Sequence, residues 1–176
     1  MKKIRTIDST LAIAAALLAM LITTPAQSAG FSERDLKAFD ANTLVYVATV
    51  RKDGNQSTAA PVWFTLSDGR DQLLIQTHKD TWKAKRIRRG SPVMVWIGSS
   101  TGPAFLGKAE ITTDAAVETR ILTDFPKRYT TDFLMGPSQK TFDSGDRVAI
   151  RITPVKDLSD GFQSQPGTSA PAIDAK

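Results

Sequence analysis

Alternating apolar and polar positions divide most of this chain into short extended runs. Leu44 to Val50 (LVYVATV) is β-branched and aromatic and reads as a strand. Asp53-Gly54 follows, a dipeptide that supplies the positive φ angles of a tight hairpin turn. A second strand runs from about Ser57 to Leu66 through Ala60-Pro61-Val62-Trp63-Phe64, and a second Asp-Gly pair, Asp68-Gly69, leads into Leu73 to Thr77. Val93 to Ile97 (VMVWI) and Ala104 to Thr113 (AFLGKAEITT) are strands four and five. Gly107 interrupts the latter and suits a bulge or a close backbone approach. Arg147 to Thr153 (RVAIRIT) alternates basic and apolar residues as a half-buried strand does. Six strands with few helices predict a mainly β domain, an antiparallel barrel.

Helical spacing is confined to three places. Phe31, Asp35, Leu36 and Phe39, with Ser32 as N-cap, form a short amphipathic helix up to Asn42 that would lie across one mouth of the barrel. Between His78 and Gly90 the pattern predicts a helix capped by Asp80 that holds Trp82, Lys83, Ala84 and Ile87. It ends in Arg88, Arg89 and Gly90, cations at the negative end of the helix dipole and glycine at the stop, and Pro92 prevents its continuation. Ala115 to about Leu134 is mixed and helical around Phe125-Pro126. After Phe162 the chain turns to Gln, Ser, Pro, Gly and Ala with little to bury, so residues 163–176 are expected to be a disordered tail.

The first thirty residues follow another logic. Lys2, Lys3 and Arg5 precede an uncharged Ala/Leu-rich run from Leu11 to Thr23, then Pro25 and the small residues Ala26, Ser28 and Ala29. This is the layout of a secretory signal. The run is 13 residues, short of the about 20 that a membrane-spanning helix needs. Residues 1–28 are therefore expected to be a removable signal peptide and residues 29–162 the folded domain, periplasmic or secreted, with no membrane attachment after cleavage. The leader holds three basic residues and one acidic one, so its removal lowers the net charge from +5 to +3. A broad nucleic-acid-binding surface is not implied. The chain has no cysteine, which excludes disulfides, thiol nucleophiles, Cys-ligated metal sites and a lipid-anchored lipoprotein.

The densest chemical signal runs from Gln76 to Arg86 (QTHKDTWKAKR). A strand ends in amide and hydroxyl side chains, and a helix opens with a lysine in its first turn. Such an arrangement makes an anion site of the kind phosphate esters use. The same run also fits a solvated basic helix face. The second signal is Pro61-Val62-Trp63-Phe64. Proline cannot donate to a sheet ladder, so neighbouring backbone is left free for a flat heteroaromatic ligand, although an ordinary Trp/Phe-rich core strand fits as well. His78 is the single histidine and reads as a solvated loop residue rather than a haem ligand or general base. Asp143, Asp146 and Asp157 lack the spacing of a calcium loop, so no metal site is expected.

Taken in order, Val47-Ala48-Thr49-Val50, Asp53-Gly54, Pro61-Val62-Trp63-Phe64, Thr77 with Thr81 and Lys83, Pro92-Val93 and Gly107-Lys108-Ala109 resemble the pyridoxamine 5'-phosphate oxidase-like split barrels. The resemblance covers roughly Leu44 to Pro154. It implies a homodimer of six-stranded antiparallel split β-barrels with a few short helices, binding FMN or a deazaflavin at the subunit interface. The ring would lie along Pro61, Val62, Trp63 and Phe64. The phosphate would be held by Thr77, Thr81 and Lys83 beside Trp82, with Gln76 near the ribityl chain. Trp63, Trp82 and Trp96 would anchor the interface. The chain departs from the family pattern at Ala60 or Pro61, at Trp82 and at Gly102, and carries no C-terminal Trp/Arg substrate motif after Pro154. Turnover of pyridoxamine phosphate itself is thus not expected. Two functions remain: an FMN-dependent oxidoreductase acting on an unknown small molecule, with no catalytic residue assigned, or a non-catalytic barrel that binds haem, flavin or another small ligand.

Overall fold

The computed structural model describes residues 30–129, 136–158 and 166–171. The expected signal peptide lies outside them, as do residues 130–135 of the segment expected to continue a helix to Leu134. The elements are α1 (Glu33–Ala41), β1 (Leu44–Thr49), β2 (Ala60–Leu66), β3 (Leu73–His78), α2 (Trp82–Arg88), β4 (Val93–Ile97), β5 (Ala104–Thr112), α3 (Ala115–Arg128), α4 (Gln139–Asp143) and β6 (Arg147–Leu158). The strands close into a barrel in the order β1-β2-β3-β6-β5-β4, every neighbouring pair antiparallel. The expected six-stranded antiparallel barrel with a few short helices is the observed fold.

Period-two alternation fills the barrel. Val45, Val47, Phe64, Ile75, Phe105 and Ile150 point inward and are buried, each contributing about 1.5–3 kcal/mol by leaving water. α1 crosses the end at which β1 begins. Its cap is Ser32, whose hydroxyl accepts from the Asp35 N–H at 3.2 Å, and Phe39 drops into the barrel with ring centroids 4.9 Å from Phe31 and 5.2 Å from Phe64. α3 covers the outer face of β2 and β3, where Val117, Ile121 and Phe125 pack on Leu74 and Trp63. α2 lies at the opposite end, where β1 finishes: the Arg89 guanidinium donates to the Val50 carbonyl at 3.0 Å, and the Val50 N–H donates to the Ser91 hydroxyl at 2.8 Å.

Several local expectations are corrected. β2 begins at Ala60, because Ser57 sits in the β1–β2 connection with its hydroxyl turned back to accept from the Thr49 N–H at 3.0 Å. In the β2–β3 turn the left-handed residue is Arg70 (φ 53), not Gly69, since the Ser67–Arg70 turn places the positive φ one residue later. α2 is capped by Thr81 rather than Asp80: its hydroxyl accepts from the Ala84 N–H at 3.2 Å. β6 continues past Thr153 to Leu158, accommodating Pro154 opposite a register shift at Leu106/Gly107. Gly107 is required there, since a Cβ would lie 2.6 Å from Cγ2 of Ile152. Trp96 is 0% exposed and Trp63 stacks on Tyr129 at 4.6 Å, so of the three tryptophans only Trp82 is free to meet a partner. Residues 166–171, expected to be disordered, pair with the β1–β2 connection: the Gln56 N–H donates to the Thr168 carbonyl at 2.8 Å and the Ala170 N–H to the Gly54 carbonyl at 3.2 Å.

Candidate functional site

The barrel wall is open on one side. β2 and β3 pair from Phe64↔Ile75 to Leu66↔Leu73, and continuing that register would set Val62 opposite Thr77 and Pro61 opposite His78. The two strands instead part beyond Phe64↔Ile75, and Pro61, with no N–H to donate, cannot restore the ladder. The gap forms a cleft of about 500 Å³ bounded by the end of β1, the start of β2, the end of β3 and one face of α2.

Lys83 and Arg86 project into this cleft from α2. They are three residues apart, and that spacing puts two side chains on the same helix face. Burial pushes the Lys83 ammonium down to about 8 from its ordinary 10.5. No hydrogen bond or ion pair joins it to another described residue. An ammonium in this condition is held where water solvates it poorly and where no carboxylate compensates it. Beside it, the Thr77 and Thr81 hydroxyls lie 3.2 Å apart, Thr81 also donating to the His78 carbonyl at 3.0 Å.

At the β1 end the same layout recurs. The Thr49 and Ser57 hydroxyls lie 3.2 Å apart, and Arg86 donates to the Thr49 hydroxyl at 3.1 Å. Arg51, from the β1–β2 connection, lines the cleft beside them. Desolvation lowers the pKa of Arg86, and repulsion from Arg51 and Arg89 lowers it further. Ser57 and Thr58 complete that wall. Among the described lining residues there are three cations and five hydroxyl side chains, and no carboxylate or histidine. The arrangement can hold an anion; it offers no acid–base pair.

The structure brings six of the nine residues singled out in the sequence to this cleft: Pro61, Val62, Thr77, Thr81, Trp82 and Lys83. The other three are elsewhere. Phe64 is 0% exposed inside the barrel. Trp63 faces outward under α3, as strand alternation requires. The Gln76 amide oxygen accepts from Arg147 at 2.7 Å. Helix-borne anion binding gives way to side-chain binding, because α2 has only seven residues and Thr81 already takes its Ala84 N–H. Sequence reasoning missed Arg86, Arg51, Thr49, Ser57 and Thr58. The i,i+3 spacing of Lys83 and Arg86 could have revealed the first; no local signal joins Arg51 to either. His78 is outside the cleft, its Nδ1 accepting from the Asp80 N–H at 3.3 Å. No cluster of potential metal ligands occurs among the described residues.

A family model described as pyridoxamine 5'-phosphate oxidase matches residues 32–156. In fold, the chain is similar to a candidate pyridoxamine 5'-phosphate oxidase of Listeria innocua, at 23% identity over 70% of this chain and 93% of that one, with a TM-score of 0.53. It is similar to a conserved hypothetical protein of Mycobacterium tuberculosis, at 23% identity over 82% and 95%, TM-score 0.54. It is similar also to an FAD-binding protein of Mesorhizobium loti, at 19% identity over 73% and 96%, TM-score 0.50. At these identities the likeness is one of fold. Among the curated proteins no sequence matches.

Proposed function

The chain belongs to the pyridoxamine 5'-phosphate oxidase family, and from that premise we propose that it is an exported flavoprotein that binds FMN in the cleft between β2 and α2. We read it as an FMN-dependent oxidoreductase acting on a small molecule. The observation that carries this reading is the Lys83 ammonium, held down to about 8 by burial, with no partner and no carboxylate among the described residues of the cleft. A phosphate supplies the charge this site lacks. Lys83 would donate a charge-assisted hydrogen bond to it, and the Thr77 hydroxyl would turn from Thr81 to donate to another of its oxygens, while Thr81, its proton held by the His78 carbonyl, keeps the wall in place. Bound there, the flavin ring supplies hydride or electron transfer, and the protein supplies orientation and electrostatics. The free edge at Pro61 and Val62 offers a flat ring an apolar bed. That the Mesorhizobium loti protein of the same fold is described as FAD-binding supports a flavin nucleotide as the ligand class.

Export rests on the basic, apolar and small-residue order of residues 1–28; among the described residues no helix is long and apolar enough to cross a membrane. Trp82, 68% exposed on the rim of the cleft, supports a homodimer in which a second copy covers the flavin. Light scattering at micromolar concentration should give twice the monomer mass; a strict monomer that still binds FMN removes the interfacial arrangement.

The absorption spectrum of the purified protein tests the function. A flavin spectrum that bleaches when a nicotinamide donor is added anaerobically supports the oxidoreductase. A second reading, binding without turnover, is favoured by the lack of an acid–base pair among the lining residues; a flavin spectrum that no donor bleaches selects it. A haem or deazaflavin spectrum, or colourless protein that fails to take up FMN, overturns the FMN assignment.

A further inference from the structure

The cleft holds more than one phosphate requires. Its cations and hydroxyls fall into two stations rather than one cluster. The first, at the end of β3, consists of the Thr77–Thr81 hydroxyl pair and Lys83. The second, at the end of β1, consists of the Thr49–Ser57 hydroxyl pair with Arg86 and Arg51. α2 bridges them, since it starts at Thr81 beside Thr77 and ends at Arg89 against Val50. Lys83 and Arg86 are therefore offset by three residues, about 4.5 Å along the helix axis.

The second station is built rather than incidental. Thr49 is 2% and Ser57 8% exposed. The Ser57 hydroxyl is fixed by backbone, accepting from the Thr49 N–H at 3.0 Å and donating to the Thr58 carbonyl at 3.2 Å, and the Thr49 hydroxyl is held between Ser57 and Arg86. The connection carrying Arg51 and Ser57 is braced by residues 166–171 through the Gln56–Thr168, Gly167–Gln56 and Ala170–Gly54 backbone bonds. Arg51 and Arg89 are each close enough to Arg86 to repel it. The nearby acid is Asp53, exposed and bonded to the Asn55 N–H at 3.0 Å. Like charges gathered on a braced wall are relieved by a bound anion.

We propose that Arg51 and Arg86, with the Thr49 hydroxyl that Ser57 holds in place, form a second anion subsite, so that the cleft takes ligands carrying two linked phosphoryl groups. The inference rests on the reading of Lys83, Thr77 and Thr81 as the first phosphate station. It makes FAD, or another diphosphate-bearing cofactor, a better ligand than FMN.

Calorimetric titration of the purified protein with inorganic phosphate and inorganic pyrophosphate, and separately with FMN and FAD, tests it. Pyrophosphate should bind at least about tenfold more tightly than phosphate, the value of one further charge-assisted hydrogen bond. Arg51→Ala, at an exposed position, should cost pyrophosphate and FAD about tenfold and phosphate and FMN less than about threefold. Arg86→Met should act in the same direction. Arg88→Ala is the control for general positive field, because Arg88 is exposed on the same helix and bonds the Lys79 carbonyl outside the cleft. Equal losses for one- and two-phosphoryl ligands in Arg51→Ala, or the same losses in Arg88→Ala, overturn the subsite. If FMN binds but pyrophosphate is not preferred, the subsite falls and the FMN reading survives. If neither flavin binds while pyrophosphate keeps an Arg51-dependent preference, the flavin reading falls and the subsite stands.

Discussion

The two ends of the barrel are built from opposite materials. At the α1 end, Phe31, Phe39, Phe64 and Phe105 interlock with centroids 4.9–6.4 Å apart. Arg128 lies 4.3 Å over the Phe64 ring and donates to the carbonyls of Phe39 and Asn42. A cation is present at this end, yet an aromatic face and backbone oxygens satisfy it. At the α2 end, Lys83 has no partner among the described residues and Arg86 shares its cleft with Arg51. One end stabilises the fold, while the other holds in Lys83 a charge with no partner among the described residues. Burial alone does not mark a site: Phe39 is more buried than Lys83, and what distinguishes the α2 end is a desolvated ammonium that no carboxylate among the described residues compensates.

The contrast can be broken most forcefully at the closed end. Phe39→Ala should destabilise the protein by about 3–5 kcal/mol, read by urea denaturation, while the folded variant keeps its affinity for FMN. Loss of FMN binding by the folded variant would show that the two ends are coupled. Next in size is Lys83→Ala. Removing one charge-assisted hydrogen bond costs about 1.5–3 kcal/mol, so FMN should weaken about ten- to a hundredfold, and riboflavin, which lacks the phosphate, should be nearly unaffected. Lys85→Ala is the comparison, since Lys85 is exposed and does not line the cleft, its ammonium lying 5.5 Å from the Trp82 ring. Equal behaviour of the two variants would reduce the α2 end to a solvated basic face.

The smallest effect is the pH dependence. In the ligand-free protein Lys83 loses its proton near 8, against 10.5 for an ordinary lysine. FMN affinity should therefore be flat just below that pH and fall by up to about tenfold per unit above it, with riboflavin flat throughout. Stability moves the other way. Between about 8 and 10.5 the folded chain binds fewer protons at this site than the unfolded chain, so the destabilisation from burying the ammonium, complete below about 8, is relieved as pH rises. Lys83→Met should accordingly stabilise the ligand-free protein at neutral pH while weakening FMN, and thermal unfolding with and without ligand reads both. A variant less stable than the parent would place the unsatisfied charge elsewhere.

Local pattern determined the strands and the helix carrying the cations. The alternation in RVAIRIT can be buried on one face only as extended chain, the short β-branched and apolar runs LVYVATV and VMVWI favour strands, and the Gly90-Pro92 pair stops α2 whatever surrounds it. Part of the site could be read in the same way, because Thr77, Thr81 and Lys83 lie within seven residues and strand end, turn and first helical turn bring them together. Tertiary structure decided the rest. Which of Val62, Trp63 and Phe64 meets the cleft depends on how the closed sheet faces α3, and α3 is distant in sequence. Thr81 rather than Asp80 caps α2, although both residues suit that position. Arg51 and Arg86 are 35 positions apart and meet only because β1 ends beneath α2. Residues 166–171 pair with backbone groups of the β1–β2 connection, which their composition does not announce. The acidity of Lys83 is likewise a property of the closed cleft, since desolvation depends on the walls around the ammonium and not on the residues beside it in sequence.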